Sequence, residues 1–255
     1  MPLDVTIVPC LTDNYAYILR CPQTGLTACV DVPDAAPIVA ALDAMGGDLH
    51  YILITHHHSD HIQGTPDLVA ATGARVLGAA ADAHRLPPLD ERLERGDLVW
   101  VGSAKGVVRD AAGHTRGHIA FHFPGERMLF SADSLMAAGC GRLFEGTPAE
   151  MWTTLSAFMA YPAETQVYSG HDYLAANLRF AAHVDPGNTE IPARLARVEA
   201  MRAAGAPRMP WTMEDERATN PFLRADLPAL RAAAGLPKAP AGEVFAALRA
   251  MKDRF

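Results

Sequence analysis

Cysteine is scarce in this chain: Cys10, Cys21, Cys29 and Cys140 are the four among 255 residues, and no CxxC pair occurs. That usage suits reduced thiols in a cytosol rather than a disulfide framework. No apolar stretch approaches the length of a membrane span, so a membrane is not an expected partner. The opening residues Met1-Pro2-Leu3-Asp4 lack the basic and apolar regions of a secretory signal, and the expected location is cytoplasmic. No run of Lys and Arg offsets the formal net charge of −7. A surface of that sign repels a phosphate backbone, so nucleic acid is not an expected partner either. Internal repeats and low-complexity tracts are also missing. The remainder is ordinary for a globular protein, at 49% hydrophobic and 20% charged residues. The length exceeds the common single-domain size and predicts one large domain or a large plus a small one.

Histidine is where the chain is rich. Thr55-His56-His57-His58-Ser59-Asp60-His61 puts four imidazoles and a carboxylate directly after the apolar run Tyr51-Ile52-Leu53-Ile54. That run reads as a strand ending where the histidines begin. In extended backbone His56 and His58 point to one side and His57 to the other. Asp60 and His61 follow after the chain has turned and aim at a neighbouring point. One segment can therefore supply two ligands to one metal ion and two to a second. A histidine-rich tract can also be a tag or a weak metal sponge, but a tag sits at a terminus without a strand leading into it. Its parity assigns His57 a supporting or structural place.

The first part of the chain reads as strand-rich. Val5–Val8, Ala16–Leu19 and Ala28–Val32 are short apolar runs, with Thr12-Asp13-Asn14 as a turn between the first two. Ala35–Met45 reads as a helix closed by Gly46-Gly47, and Pro66–Thr72 as another closed by Gly73. Arg75–Gly78 follows as a strand. From Gly106 to Asp133 the pattern is again strand-like, with Ile119–Phe123 and Arg127–Ser131 turning at Pro124-Gly125, and Gln166–Ser169 is a last short strand. Thr147-Pro148-Ala149-Glu150 is a capping box that opens a helix running to about Met159. Beyond His171 the pattern becomes helical. Leu174, Leu178 and Ala181 form one stripe, and Ile191, Leu195, Val198 and Met201 a second, closed by Gly205 and Pro207. Val244, Phe245, Leu248 and Met251 form a third. The whole predicts an α/β layered architecture over residues 1–171 and a smaller helical domain over 172–255.

Two metal ions need more ligands than the first stretch offers. His114, in the loop Gly113–His118, precedes a predicted strand; Asp133 and His171 each follow one. Loops at strand ends are the usual place for sites on such folds. With the first stretch, these three complete two sites sharing one carboxylate. His118 and His122 lie along a strand and are assigned to packing or support of ligands. His50, His84 and His183 read as ordinary surface residues.

These residues carry a family resemblance. The THxHxDH stretch with the later His, Asp and His resembles the metallo-β-lactamase superfamily and, within it, the glyoxalase II (hydroxyacylglutathione hydrolase) family. The likeness extends over Leu11–Tyr15, His114–His118, Ala138–Thr147, Gly170–Tyr173, Asn177–Phe180, Asp185–Asn188, Thr219–Arg224 and Leu248–Asp253. It implies a four-layer αββα sandwich followed by a small α-helical domain that helps bind glutathione. It implies that His56, His58 and His114 hold one metal, that Asp60, His61 and His171 hold a second, and that Asp133 bridges them. It implies further that Arg142, Phe144, His171, Tyr173, Arg249 and Lys252 meet the substrate. Glutathione carries two carboxylates, which basic side chains can pair with. Without the likeness, Arg249 and Lys252 would read as solvated helix charges. The chain departs from the family pattern in three places. Arginine stands at 142 where lysine is common, phenylalanine at 144 where tyrosine is common, and Ala132 where glycine often precedes the bridging aspartate.

The activity implied is hydrolysis of S-D-lactoylglutathione to D-lactate and glutathione, with Asp60 and Asp133 as the catalytic carboxylates. The implied cofactor is a pair of divalent ions, zinc first, with iron and manganese as alternatives that imidazole and carboxylate ligands also suit. The expected partner is a small glutathione thioester, and the expected state is a monomer. The alternative enzyme is a mononuclear-iron glutathione persulfide dioxygenase of the same superfamily, disfavoured by the helical tail with Arg249 and Lys252. A metallonuclease is disfavoured by the acidic balance, and a non-catalytic metal-stabilised module by the complete ligand set.

Overall fold

In the computed structural model, residues 3–205 and 209–255 are described; Met1, Pro2 and Pro207, used above, lie outside them. The chain divides into two compact units. One holds the residues up to Ala111 with Gly117–Ala132, the other Ala112–Arg116 with Asp133–Phe255.

The first unit begins with β1 (Asp4–Cys10), β2 (Asn14–Arg20) and β3 (Thr27–Val30), followed by helix α1 (Ala35–Met45). Then come β4 (Tyr51–Leu53), α2 (Ser59–Ile62), α3 (Thr65–Thr72), β5 (Arg75–Ala79) and β6 (Glu91–Leu93). Among the described residues these strands form a six-stranded sheet in chain order, antiparallel from β1 to β3 and parallel from β3 to β6. Strand β2 is buried from Asn14 to Leu19, the continuous pattern of a strand covered on both faces. Helix α1 starts where Asp34 accepts the Ala36 amide and ends at Gly46 in the left-handed region. Its Ile38 and Leu42 enter one core with Ile18, Cys29, Ile52, Ile54 and Leu68.

Four antiparallel strands follow: β7 (Leu98–Val101), β8 (Ala104–Asp110), β9 (Ile119–Phe123) and β10 (Met128–Ala132). Tyr17 of β2 meets Phe130 of β10 edge-on at 5.6 Å, and Phe123 meets Phe130 at 6.0 Å, so aromatic rings fill the space between the sheets.

The second unit contains the hairpin β11 (Leu135–Met136) and β12 (Gly139–Cys140), helix α4 (Pro148–Phe158), and β13 (Gln166–Ser169). Helices α5 (Leu174–Val184) and α6 (Glu190–Ala203) follow, then β14 (Trp211–Thr212), which pairs antiparallel with β13. Helices α7 (Met213–Thr219), α8 (Pro228–Ala233) and α9 (Ala241–Lys252) complete it. The expected capping box forms: Thr147 Oγ1 accepts the Glu150 amide while Glu150 accepts the Thr147 amide. Phe180 stacks on Phe222, which in turn meets Phe245 edge-on in the helical core.

Two expectations shift. The third strand stops at Val30, because Asp31 adopts φ of 56°, outside strand geometry. On α6 the buried stripe is Ile191, Arg194 and Val198; Leu195 and Met201 stay partly exposed, and a charged side chain occupies the core position.

Candidate metal centre

Parallel pairing of β3 and β4 sets Val30 opposite Leu53, so both strands deliver their C-terminal residues to one end of the sheet. From β3 comes Asp31. From β4 come Thr55 and His56, both fully buried. The Asp31 carboxylate accepts the Thr55 amide at 2.8 Å, the Thr55 hydroxyl at 2.7 Å and lies 2.8 Å from His61 Nδ1. With Nδ1 hydrogen-bonded to a carboxylate, Nε2 is the ring atom of His61 that could hold a metal ion.

His56 and His58 lie beyond β4, and the parity reading holds for their contacts. His56 Nε2 faces His58 Nδ1 at 3.2 Å, while His57 turns away and sets Nδ1 3.4 Å from buried Asp82. His58 is the N-cap of the single-turn helix α2, which places Asp60 and His61 on its first turn. Asn14, at the start of β2, donates from Nδ2 to the Asp60 carbonyl at 3.0 Å and to Asp60 Oδ2 at 3.1 Å. His118, buried, stacks on His56 with ring centroids 4.7 Å apart. Asp31, His56 and His61 also form a cluster of potential ligand atoms. The hydrogen bonds of Asp31, two from Thr55 and one with His61, mark that carboxylate as the group orienting His61.

In the second unit, three buried residues converge. His114 Nε2 and His171 Nε2 each lie 3.3 Å from Asp133 Oδ2. His114 Nδ1 lies 2.8 Å from the Arg142 carbonyl, which again commits Nδ1 and leaves Nε2 turned inward. Gly141 donates its amide to the Asp133 carbonyl at 3.0 Å. A Cβ at Gly141 would come within 2.1 Å of that carbonyl, so no larger residue fits there.

The remaining sequence-predicted residues also lie in the second unit. Phe144 is 64% exposed and meets the His114 ring edge-on at 5.4 Å. Tyr173 stacks on His171 at 4.8 Å, and Arg142 is exposed. Arg249 is not a solvated helix charge: it is buried, donates to the Cys140 carbonyl at 2.8 Å and to Asp253 at 3.0 Å, and lies over the Phe222 ring. Lys252 donates to the Ala176 carbonyl at 3.3 Å. Burial first, then the neighbouring Arg249, Arg179 and Arg142, lower its pKa.

The donors fit divalent ions. Imidazole nitrogens with one ring nitrogen committed and the other turned inward, together with carboxylates, make up the ligand chemistry of such sites. Sequence reading did not find Asp31 or Asn14 as parts of this arrangement. A carboxylate interrupting the end of the apolar run Ala28–Val32 was the available signal for Asp31.

A family model for the hydroxyacylglutathione hydrolase C-terminus matches residues 172–255, and one for the metallo-β-lactamase superfamily matches residues 30–171. A hydroxyacylglutathione hydrolase from Fuscovulum blasticum is 59% identical over 255 residues, covering all of both chains. Among solved structures, ETHE1 from Myxococcus xanthus superposes with a TM-score of 0.68 at 21% identity, over 98% of this chain and 90% of its own, a likeness of fold. TTHA1623, solved in a di-iron-bound form, does so with a TM-score of 0.58 at 26% identity, over 68% of this chain and 96% of its own.

Proposed function

The chain belongs to the hydroxyacylglutathione hydrolase family within the metallo-β-lactamase superfamily, and from that premise we propose the following reading of its site. The protein is a thioester hydrolase that converts S-D-lactoylglutathione and water to D-lactate and glutathione. The full-length likeness to a hydroxyacylglutathione hydrolase carries this conclusion, since it includes the helical region as well as the histidine stretch.

In this proposal His56, His58 and His114 hold one divalent ion, Asp60, His61 and His171 a second, and Asp133 both, with zinc the preferred metal. The di-iron form of TTHA1623 supports a two-ion count. Ions held there would lower the pKa of a water to about 7 and stabilise negative charge developing on the thioester oxygen. The chain's own residues do the rest. Asp31 and the Arg142 carbonyl fix the tautomers of His61 and His114. Asn14 holds the Asp60 carboxylate, which takes up the proton of the attacking water, and Asp133 orients that water. The leaving thiolate is stable enough to depart without a dedicated acid. Arg142, Arg249 and Lys252 meet the glutathione carboxylates, with Phe144, Tyr173 and His171 along the rest of the substrate. Residues 1–171 thus form the catalytic part and 172–255 the glutathione-binding part of a monomer.

The test is thiol release from S-D-lactoylglutathione before and after chelation, with metal content measured on the same sample. Chelator-sensitive release with two metals per chain is the expected result. Oxygen uptake with glutathione persulfide and one iron per chain, without thiol release, would replace the hydrolase by the dioxygenase.

A further inference from the structure

Asp133 and Arg142 are joined by the β11–β12 hairpin, and its turn is under backbone strain. Ala138 has φ of 53°, a region that residues with a Cβ seldom occupy. Side chains from the helices hold it there. The Ala138 amide donates to both carboxylate oxygens of Glu216, at 3.1 and 2.9 Å. Asn220 Nδ2 donates to the Gly139 carbonyl and to Glu216 Oε2, both at 2.9 Å. Asn177 Nδ2 donates to the Ala137 carbonyl at 3.0 Å, and Arg249 to the Cys140 carbonyl at 2.8 Å.

Glu216 is the centre of this arrangement. It is fully buried, and its charge is balanced by Arg194, also fully buried, at 2.5 Å. Arg194 is itself fixed by Thr219 Oγ1 at 2.6 Å and by the Trp211 ring beneath it. Donors from Ala138, Asn220 and Arg194 all converge on one carboxylate, and only an acceptor-only group satisfies them together. A buried ion pair adds little stability over apolar residues of the same volume, so stability alone does not account for the pair. The consequence lies at the hairpin's open end, where Gly141 bonds the Asp133 carbonyl and the Arg142 carbonyl meets His114 Nδ1.

We propose that Glu216, neutralised by Arg194, is a positioning residue for the metal centre. By clamping Ala138 it sets the hairpin that presents Asp133 and the carbonyl orienting His114. The proposal rests on Asp133 and His114 being metal ligands.

Two double variants separate positioning from ion pairing. R194M/E216M removes the charge pair and the acceptor; R194M/E216Q removes the pair and keeps an acceptor for the Ala138 amide. Zinc affinity is read by competition with a chromophoric chelator, alongside denaturant unfolding. R194M/E216M is expected to bind zinc about tenfold or more weakly. R194M/E216Q is expected to stay within about threefold of the parent, because the outer acceptor that matters is retained. Equal affinity of both variants and the parent overturns the proposal. A parent that binds no zinc overturns instead the reading of the ligands. Amide exchange in the unmodified protein decides the matter even where a variant does not fold. The Ala138 amide is expected to be protected equally with and without zinc. Protection that appears only on zinc binding would mean that the metal organises the hairpin, and would overturn the proposal.

Discussion

Asp31 Oδ2 lies 2.8 Å from His61 Nδ1, and the same carboxylate accepts both the amide and the hydroxyl of Thr55. One buried acid just after β3 therefore fixes the ring that closes the histidine stretch. The parallel register of β3 and β4 is what brings the two together.

Replacing Asp31 by Asn tests this. An amide nitrogen in place of one oxygen meets a ring N–H or a hydroxyl that needs an acceptor. His61 then does better to move its proton to Nε2, the atom proposed to bind metal. D31N should lose metal affinity by about 10–100-fold and stability by about 1–3 kcal/mol. Chelator competition and denaturant unfolding measure the two effects. Unchanged affinity would mean that His61 keeps its tautomer without Asp31.

Phe144 stands where the family commonly has tyrosine, and its ring is 64% exposed against His114. In F144Y a hydroxyl becomes available to the substrate without disturbing a packed core. One added hydrogen bond of about 0.5–1.5 kcal/mol should lower KM roughly two- to tenfold. The proposed contact is made equally in ground and transition states, so kcat should stay constant. Steady-state kinetics on the glutathione thioester check the split; a change confined to kcat would place the ring at the reacting atoms instead.

Ala132 has φ of 42°, which explains why glycine often stands there in the family. A left-handed residue with a Cβ costs about 1–2 kcal/mol, and glycine gives back about 0.5–1 kcal/mol through its freer unfolded chain. A132G should thus gain up to about 1 kcal/mol of stability. Equilibrium unfolding in denaturant reads it directly. A loss of stability would show that the alanine methyl contributes more packing than the backbone strain removes.

The contrast between legible and hidden residues follows from range. Helix α1, the Thr147–Glu150 cap and the Gly46 and Gly73 stops were readable because their signals lie within a turn or two of chain. The histidines were readable because imidazoles gathered at strand ends have few structural explanations. Arg194 was not, since burying a guanidinium on α6 makes sense only with Glu216, 22 residues further on, beside it. Arg249 was readable through its family likeness alone, because its carbonyl partner at Cys140 lies 109 residues earlier. Asp31 looked like the tail of a strand until the neighbouring strand gave its carboxylate something to hold.

His122 supplies a pH dependence separate from the metal ligands. It sits in β9 opposite Val107 and Leu129, 6% exposed, and burial followed by the charge of Arg109 lowers its pKa to about 4. The unfolded chain takes up this proton near pH 6.5 and the folded chain only near 4. Between those values the unfolded state binds more protons, so stability is present above 6.5 and is lost as pH falls. The loss attributable to His122 should be about 2 kcal/mol between pH 7.5 and 5. His122→Leu removes the titrating ring and keeps the buried position apolar. Comparing parent and variant by denaturant unfolding at both pH values cancels the contributions of every other histidine, because those are common to both proteins. The variant should lose about 2 kcal/mol less on acidification. Equal losses would mean that His122 takes up its proton in the folded protein as readily as in the unfolded chain.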